Sequence, residues 1–238
     1  MSHEFPEDWR KGVYQAILRR RDIRHFLPDQ VPLDKLARIL SAAHHAGSVG
    51  FMQPWDFILV DDMDLRARVR AHVEEERLAA ASAFTNERRE QYLSFKLEGI
   101  MESPVNICVT CDRERQSGPV LGRNTIRDTD LYSTCAAIQN LWLAARAEGI
   151  GVGWVSILKP DKLKNMLNIP RRMEPVAYLC LGYAKEFPVR PMLETSGWLP
   201  RVPLASIVHS NSYAAACPEE LAGLLNKEPL GGGGQDER

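Results

Sequence analysis

Several things are missing from this sequence, and each absence closes a door. In 238 residues no uninterrupted apolar stretch approaches the roughly 20 residues that a bilayer crossing needs, so no membrane role is expected. The opening MSHEFPEDWRKG has neither the basic start nor the apolar middle of a secretory signal, and the expected location is cytoplasmic. An excess of either charge is missing too. Thirty lysines and arginines face 31 acidic residues, which leaves no overall basic field for nucleic acid. No GxGxxG turn opens a helix, so a Rossmann nucleotide domain is not indicated. Small-molecule chemistry is the default that remains.

Cysteine is scarce and odd in number, five in all, which without a secretory signal argues for reduced thiols. Cys108 and Cys111 have a spacing that suits metal or redox chemistry. Their neighbours Val105, Ile107 and Val109 mark a strand, on which residues three apart point to opposite faces. No second cysteine or histidine pair follows at zinc-site spacing. The two thiols therefore read as small buried hydrophobes, and no metal is expected. His44 and His45, adjacent at the end of a helix, do not face each other either and read as its terminus.

What is present centres on DLYSTCAAIQNLWLAARAEGIGVGWVSIL, from Asp130 to Leu158. Leu131, Ala136, Ile138, Leu141, Trp142, Leu143 and Ala145 make a helix apolar nearly all round, the pattern of an element buried on most faces. Gly149 stops it. The run then turns into a strand with glycines at 151 and 153, where a backbone passes close to a neighbour; packing on another strand is favoured over a ligand.

Ahead of this block, a helix from about Trp9 to Arg20 should carry Val13, Ile17 and Leu18 inward. It ends in Arg19, Arg20, Arg21 and Arg24, with Asp22 between them. Cations at a helix terminus complement its dipole. Guanidinium forks also suit phosphate oxygens, and both readings stay open. A second helix runs from Leu33 to about Ala43. The loop Ala46-Gly47-Ser48-Val49-Gly50-Phe51-Met52-Gln53-Pro54-Trp55 follows, unlike an ordinary helix-to-strand connection and shaped for a ligand. Further strands are expected at Asp56–Val60, Val105–Cys111, Val152–Ser156 and Pro175–Tyr183, too scattered for a regular βαβ series. Between Asp64 and Gly99 lies a charged helical region broken near Ala83-Phe84-Thr85-Asn86, which by itself reads as a solvated hairpin. Pro188 to Pro203 reads as an extended arm, and residues 213–238 as a flexible tail.

Taken together, RRRDIRHF, SVGFMQPWDF, KLEGI, ICVTCDRER, the Asp130–Ile157 block and GWLPRVPL resemble the nitroreductase-like flavoproteins, over roughly Trp9 to Val208. Within them the chain is most like the oxygen-using branch that serves cobalamin biosynthesis. The resemblance implies one α+β domain over residues 9–208, with a mixed, mainly antiparallel sheet flanked by helices. It implies an intertwined homodimer with FMN at each interface, a lid over the flavin at about residues 74–99, and a C-terminal arm at about 188–208 that wraps the partner.

The same resemblance implies a chemistry in which reduced FMN is the substrate. With O2 it is fragmented to dimethylbenzimidazole and erythrose 4-phosphate, and an external NAD(P)H-flavin reductase supplies the reduced flavin. Carried over residue by residue, Arg20, Arg21, Ile23 and Arg24 would hold phosphate and ribityl oxygens, with Arg201 reaching in. Ser48 and Gly50 would line the ring edge, Lys96 and Leu97 of the lid would bind the flavin, and Ser156 with the Ile157 backbone would lie near the flavin N5. Phe84, Tyr92 and Leu97 would form the lid's apolar underside. Asp22 is the acid-base candidate, a carboxylate where general nitroreductases commonly place serine, among arginines that favour its ionised form. An ion pair holding Arg24 is the competing reading of Asp22. The alternative activity is an NAD(P)H-dependent nitroreductase or flavin reductase on the same fold; a third reading is a non-catalytic flavin-binding protein.

Overall fold

The structure, a computed structural model, describes residues 3–116 and 118–227. The chain divides into two compact units, Arg20–Phe187 and a second formed by the residues before Arg20 and after Phe187.

The larger unit is built on a four-stranded antiparallel sheet of β1 (Trp55–Leu59), β2 (Val105–Asp112), β3 (Ile150–Val155) and β4 (Met173–Tyr183), in the order β1-β2-β4-β3. β2 and β4 are central and buried along most of their length, which explains their nearly continuous apolar sequence. One face is covered by α2 (Leu33–His44) and α5 (Thr129–Ala147), whose Ile39, Ala43, Ile138, Leu141 and Ala145 pack on Ile107, Val109, Leu179 and Leu181. The other face carries Ile23, Phe26, Val69, Val73, Leu163 and Ile169 around Cys108, Tyr178 and Cys180, with cover from α3 (Met63–Ala81) and α6 (Pro160–Leu167). Period-two alternation on β2 thus feeds two separate cores.

The strand parity separates the CxxC pair as expected. Cys108 lies in the α3 and α6 core, whereas Cys111 meets Thr134 of α5 on the opposite face. Burial pushes the Cys108 thiol up to about 12 and that of Cys111 up to about 11, so both are inert neutral groups at neutral pH.

α5 begins and ends within two residues of the expected limits, and Gly149 takes the left-handed conformation (φ 76°) that terminates it. Arg66, buried on α3, donates to the carbonyls of Val60, Ser103 and Pro104 at 2.6, 3.0 and 3.2 Å. These bonds fasten the first turns of α3 to the ends of β1 and β2. After α3, the turn 82–85 leads to α4 (Asn86–Ser94), closing a helical hairpin.

In the smaller unit, α1 (Glu7–Arg19) buries none of its residues. This corrects the expected inward packing of Val13, Ile17 and Leu18: Val13 and Ile17 are 51% and 40% exposed. An apolar stripe gains nothing from periodicity alone; it needs a surface to cover it, and the described residues do not supply one here. The expected extended arm also contains two helical turns, α7 (Met192–Thr195) and a 3-10 turn at Leu204–Ile207, each entered through a proline. Within the expected tail, α8 (Glu219–Leu225) forms behind Pro218; residues 228–238 lie outside the described residues.

Candidate active site

The Arg20–Phe26 segment lies along β3, the sheet edge. Ile23 N–H donates to Val152 O at 2.9 Å, Asp22 and Val152 form a parallel bridge, and Leu27 N–H donates to Tyr183 O at 2.8 Å. Glycine makes this approach possible. A Cβ on Gly153 would stand 2.2 Å from Ile23 O, and one on Gly151 would stand 2.9 Å from Ile23 Cγ1. The two glycines therefore serve backbone packing, the reading their sequence context favoured.

Asp22 is pinned from two directions. Its Oδ1 accepts the Trp154 N–H at 2.9 Å, and its two oxygens take the two terminal nitrogens of Arg24 in a forked ion pair. Those nitrogens also donate to Ile23 O and Trp154 O, at 3.2 and 3.1 Å. The Arg24 side chain is only 12% exposed, against 45% for Asp22. Arg24 thus spends its forked donors on protein acceptors and braces β3, while Asp22 keeps a fixed orientation at the surface. The pairing alternative for Asp22 is therefore realised, and it coexists with surface access. Ile23, expected beside a ligand, sends its side chain into the core, so only its main chain can line a site.

Arg20 stacks its guanidinium over Trp142 of α5, 4.7 Å from the ring centroid. The same indole donates its N–H to Arg21 O at 3.2 Å, and Arg21 Nη1 donates to Arg20 O at 2.7 Å. Trp142 reads in sequence as one more core residue; here it positions both arginines. The available signal was chemical, since a buried indole N–H needs a partner.

Ser156 is exposed one residue beyond β3, and Ile157 is half-buried behind it. Gly99 packs on the Arg24–Phe26 segment: a Cβ on it would stand 3.1 Å from Arg24 O and 2.6 Å from the Phe26 ring. Lys96 is paired with Glu102. On the α3–α4 hairpin, Phe84 and Tyr92 stack on each other at 5.0 Å, and burial raises the Tyr92 hydroxyl pKa.

Ser48 and Gly50 lie elsewhere. Ser48 Oγ accepts Gln53 N–H at 2.9 Å, and Val49 N–H donates to Ser133 Oγ of α5 at 3.1 Å. Left-handed φ values at Gly50, Phe51 and Gln53 give the loop its tight path into β1. β1 and β3 are opposite edges of the sheet, three strand spacings apart, or about 14 Å. One chain therefore assembles Arg20, Arg21, Asp22, Arg24 and Ser156 on one side and keeps Ser48 with Gly50 on the other. Arg201 is exposed in the smaller unit, shortly before the Leu204–Ile207 turn.

The donor set fits an FMN. Two half-buried arginines on a tryptophan platform suit a phosphate, and an exposed carboxylate and hydroxyl further along β3 suit ribityl and ring atoms.

Comparison with known proteins agrees. The sequence model described as the nitroreductase family matches residues 17–183. A 5,6-dimethylbenzimidazole synthase of Rhodospirillum rubrum is 41% identical over 84% of this chain and 94% of its own length. Another from Rhodobacter capsulatus is 38% identical, with coverage of 84% and 96%. Among solved structures, iodotyrosine deiodinase bound to FMN and 3-iodo-L-tyrosine superposes with a TM-score of 0.66 at 21% identity, covering 84% of this chain and all of that one. The fold built around the β3 edge is thus shared with flavin enzymes, and the chain belongs to the nitroreductase family, in the group that holds the 5,6-dimethylbenzimidazole synthases.

Proposed function

We propose that this enzyme cleaves reduced FMN in the presence of O2, giving 5,6-dimethylbenzimidazole, the lower ligand of cobalamin, and D-erythrose 4-phosphate. The observation that carries the reading is Asp22. A general reductase gains nothing from a surface carboxylate fixed by Arg24 and the Trp154 amide, whereas breaking up the ribityl chain requires protons to leave carbon and oxygen there.

Reduced FMN brings the electrons for oxygen chemistry; the protein holds and orients it. Arg20 and Arg21 anchor the phosphate through charge-assisted bonds, and Trp142 limits their freedom. Asp22 receives a proton from the ribityl chain, with its lone pairs aimed by the bonds already described. Ser156, beside the ring, offers a hydroxyl that can hold a proton near N5. The α3–α4 hairpin, with Lys96 and Leu97 following it, acts as the lid that keeps water from the reacting centre.

A second copy of the chain completes the site. The Ser48–Gly50 loop, remote from Asp22 within one subunit, would line the flavin edge of the partner, and Arg201 would reach the phosphate. Val49, Phe51, Leu121 and Tyr132 support this reading. They are 37%, 74%, 84% and 60% exposed, and the first three adjoin through Gly50 and Gly122, an apolar patch of the kind that marks an interface. A separate NAD(P)H-dependent flavin reductase would deliver reduced FMN, and the chain would work in the cytoplasm; among the described residues no helix is long and apolar enough to cross a membrane.

The test is direct. Anaerobically photoreduced FMN is mixed with the protein, air is admitted, and the products are separated. Dimethylbenzimidazole in step with flavin loss is expected. Steady NAD(P)H oxidation with the flavin intact would establish the reductase alternative instead, and reoxidation to intact FMN without turnover would leave a flavin-binding protein.

A further inference from the structure

His72 and Glu76 of α3 hold Lys159, three residues after Ser156, by its backbone and its side chain respectively. His72, 6% exposed, accepts the Lys159 N–H on Nε2 at 3.0 Å, while its Nδ1 lies 3.5 Å from Glu75 Oε2. Glu76 Oε1 pairs with Lys159 Nζ at 2.7 Å. Lys159 is the N-cap residue of α6, and its side chain supplies no cap.

The N-cap amide of a helix is ordinarily met by an acidic or amide side chain three residues on. That residue here is Lys162, which cannot accept. His72 fills the vacancy from another helix. The contact requires a ring whose Nε2 lone pair is open and whose Nδ1 hydrogen points to Glu75. His72, Glu75 and Glu76 cluster within 4.8 Å in a manner that suggests a metal. With Nε2 occupied by an amide N–H and Glu76 by an ammonium, the cluster is a brace.

Both ends of the brace matter. Three residues before Lys159 stands Ser156, and the residue directly after Glu76 on the same helix is Arg77, whose Nη1 donates to Leu93 O of α4 at 3.1 Å. We infer that His72 and Glu76 are positioning residues that couple the α3–α4 hairpin to the Ser156–Lys159 segment, so that flavin bound against that segment steadies the lid. The inference rests on the flavin reading given above and adds the linkage between two parts of that site. Coupling of this kind is reciprocal.

The experiment uses the full chain with reduced FMN under anaerobic conditions. Binding is read by ultrafiltration, and lid opening by the rate at which a protease cuts the 82–85 turn. In the parent protein, FMN should slow cutting by about tenfold, an ordinary coupling strength. In His72→Leu, FMN should still bind but slow cutting by less than about twofold, and His72→Gln, whose amide oxygen can accept the Lys159 N–H, should restore most of the protection. A brace that is only structural would lower thermal stability in His72→Leu and leave the FMN-dependent protection intact; that result overturns the inference. Should His72→Leu fail to fold, Glu76→Gln and Lys159→Met carry the test, each expected to cut the protection to roughly a third; full protection in both overturns it. A parent protein that binds FMN without protecting the turn also overturns the inference and spares the flavin reading. A parent protein that does not retain FMN ends both.

Discussion

The β3 edge and the α3–α4 hairpin are held by different means. Along β3 the contacts fall on main chain: Ile23 N–H bonds Val152 O, the Asp22 carboxylate takes the Trp154 amide, and only glycine fits at 151 and 153. In the hairpin, side chains supply the ties: Phe84 stacks on Tyr92, Arg77 reaches the Glu74 carboxylate and the Leu93 carbonyl, and little of α4 is buried. Backbone contacts between packed strands permit one arrangement, whereas a few side-chain ties in water can open and reclose. The contrast suits the proposed chemistry, which needs a rigid surface against which the ribityl chain is aligned and a cover that admits it.

The strongest way to break the contrast is Gly153→Ala. Its new methyl carbon would stand 2.2 Å from Ile23 O, and neither backbone can yield without moving Asp22. A loss of about 3 kcal/mol in denaturant titration is expected, the upper range for overpacking, together with loss of FMN retention. Gly149→Ala is the control. Nothing lies within 4 Å of its Cβ position, so only left-handed strain opposes it, about 1 kcal/mol. Equal effects from the two would show that the close approach at β3 is not what fixes this edge.

Asp22→Asn sharpens the comparison inside the rigid edge. The amide oxygen can still accept from Trp154, so FMN should be retained, while product formation falls by about 100-fold or more, the lower range for a lost proton acceptor. Normal product formation would remove Asp22 from the mechanism and leave it as the anchor of Arg24.

On the flexible side, Phe84→Ala removes one half of the aromatic stack. Its expected effect is about 1 kcal/mol, seen as faster proteolysis at residues 82–85 and not as a lower melting temperature of the whole chain. A large fall in melting temperature would mean that the hairpin belongs to the main cooperative unit.

How much of this was legible follows the same division. Period-two and helical patterns located all four strands and the long helices, because burial imposes those patterns. The parity of Cys108 and Cys111 and the packing role of Gly151 and Gly153 could also be read, since both follow from backbone geometry. What could not be read depends on which distant residue supplies a partner. Arg24 looked like a phosphate ligand until Trp154 O and Asp22 claimed its donors. Trp142 gave no sign of holding Arg21, 121 positions away, nor His72 of holding Lys159, 87 away. Val13 and Ile17 kept a helical stripe with no cover among the described residues. Sequence shows which groups want a partner; the fold decides which partner they find.

The smallest effect concerns the pH at which the α3–α4 hairpin loosens. Hydrogen bonding to Arg77 holds the Glu74 carboxyl below its ordinary range. A group whose folded-state pKa is depressed contributes stability above its unfolded pKa, and that contribution disappears as pH falls through the folded value. The tie should therefore be intact at neutral pH and fade below about pH 4, the region where an ordinary glutamate titrates. Because Glu74 is 50% exposed, the amount is small, about 0.3 kcal/mol, as for other surface pairs within a helix. Hydrogen exchange at the α4 amides should speed up slightly across that range, while exchange in β3 stays flat. Glu74→Gln should remove the pH dependence in α4 and leave the Arg77 bond to Leu93 O in place. If α4 in the Gln variant still loosens with acid to the same extent, the pH response originates outside the Glu74–Arg77 pair, and the hairpin is held by something other than its own side chains.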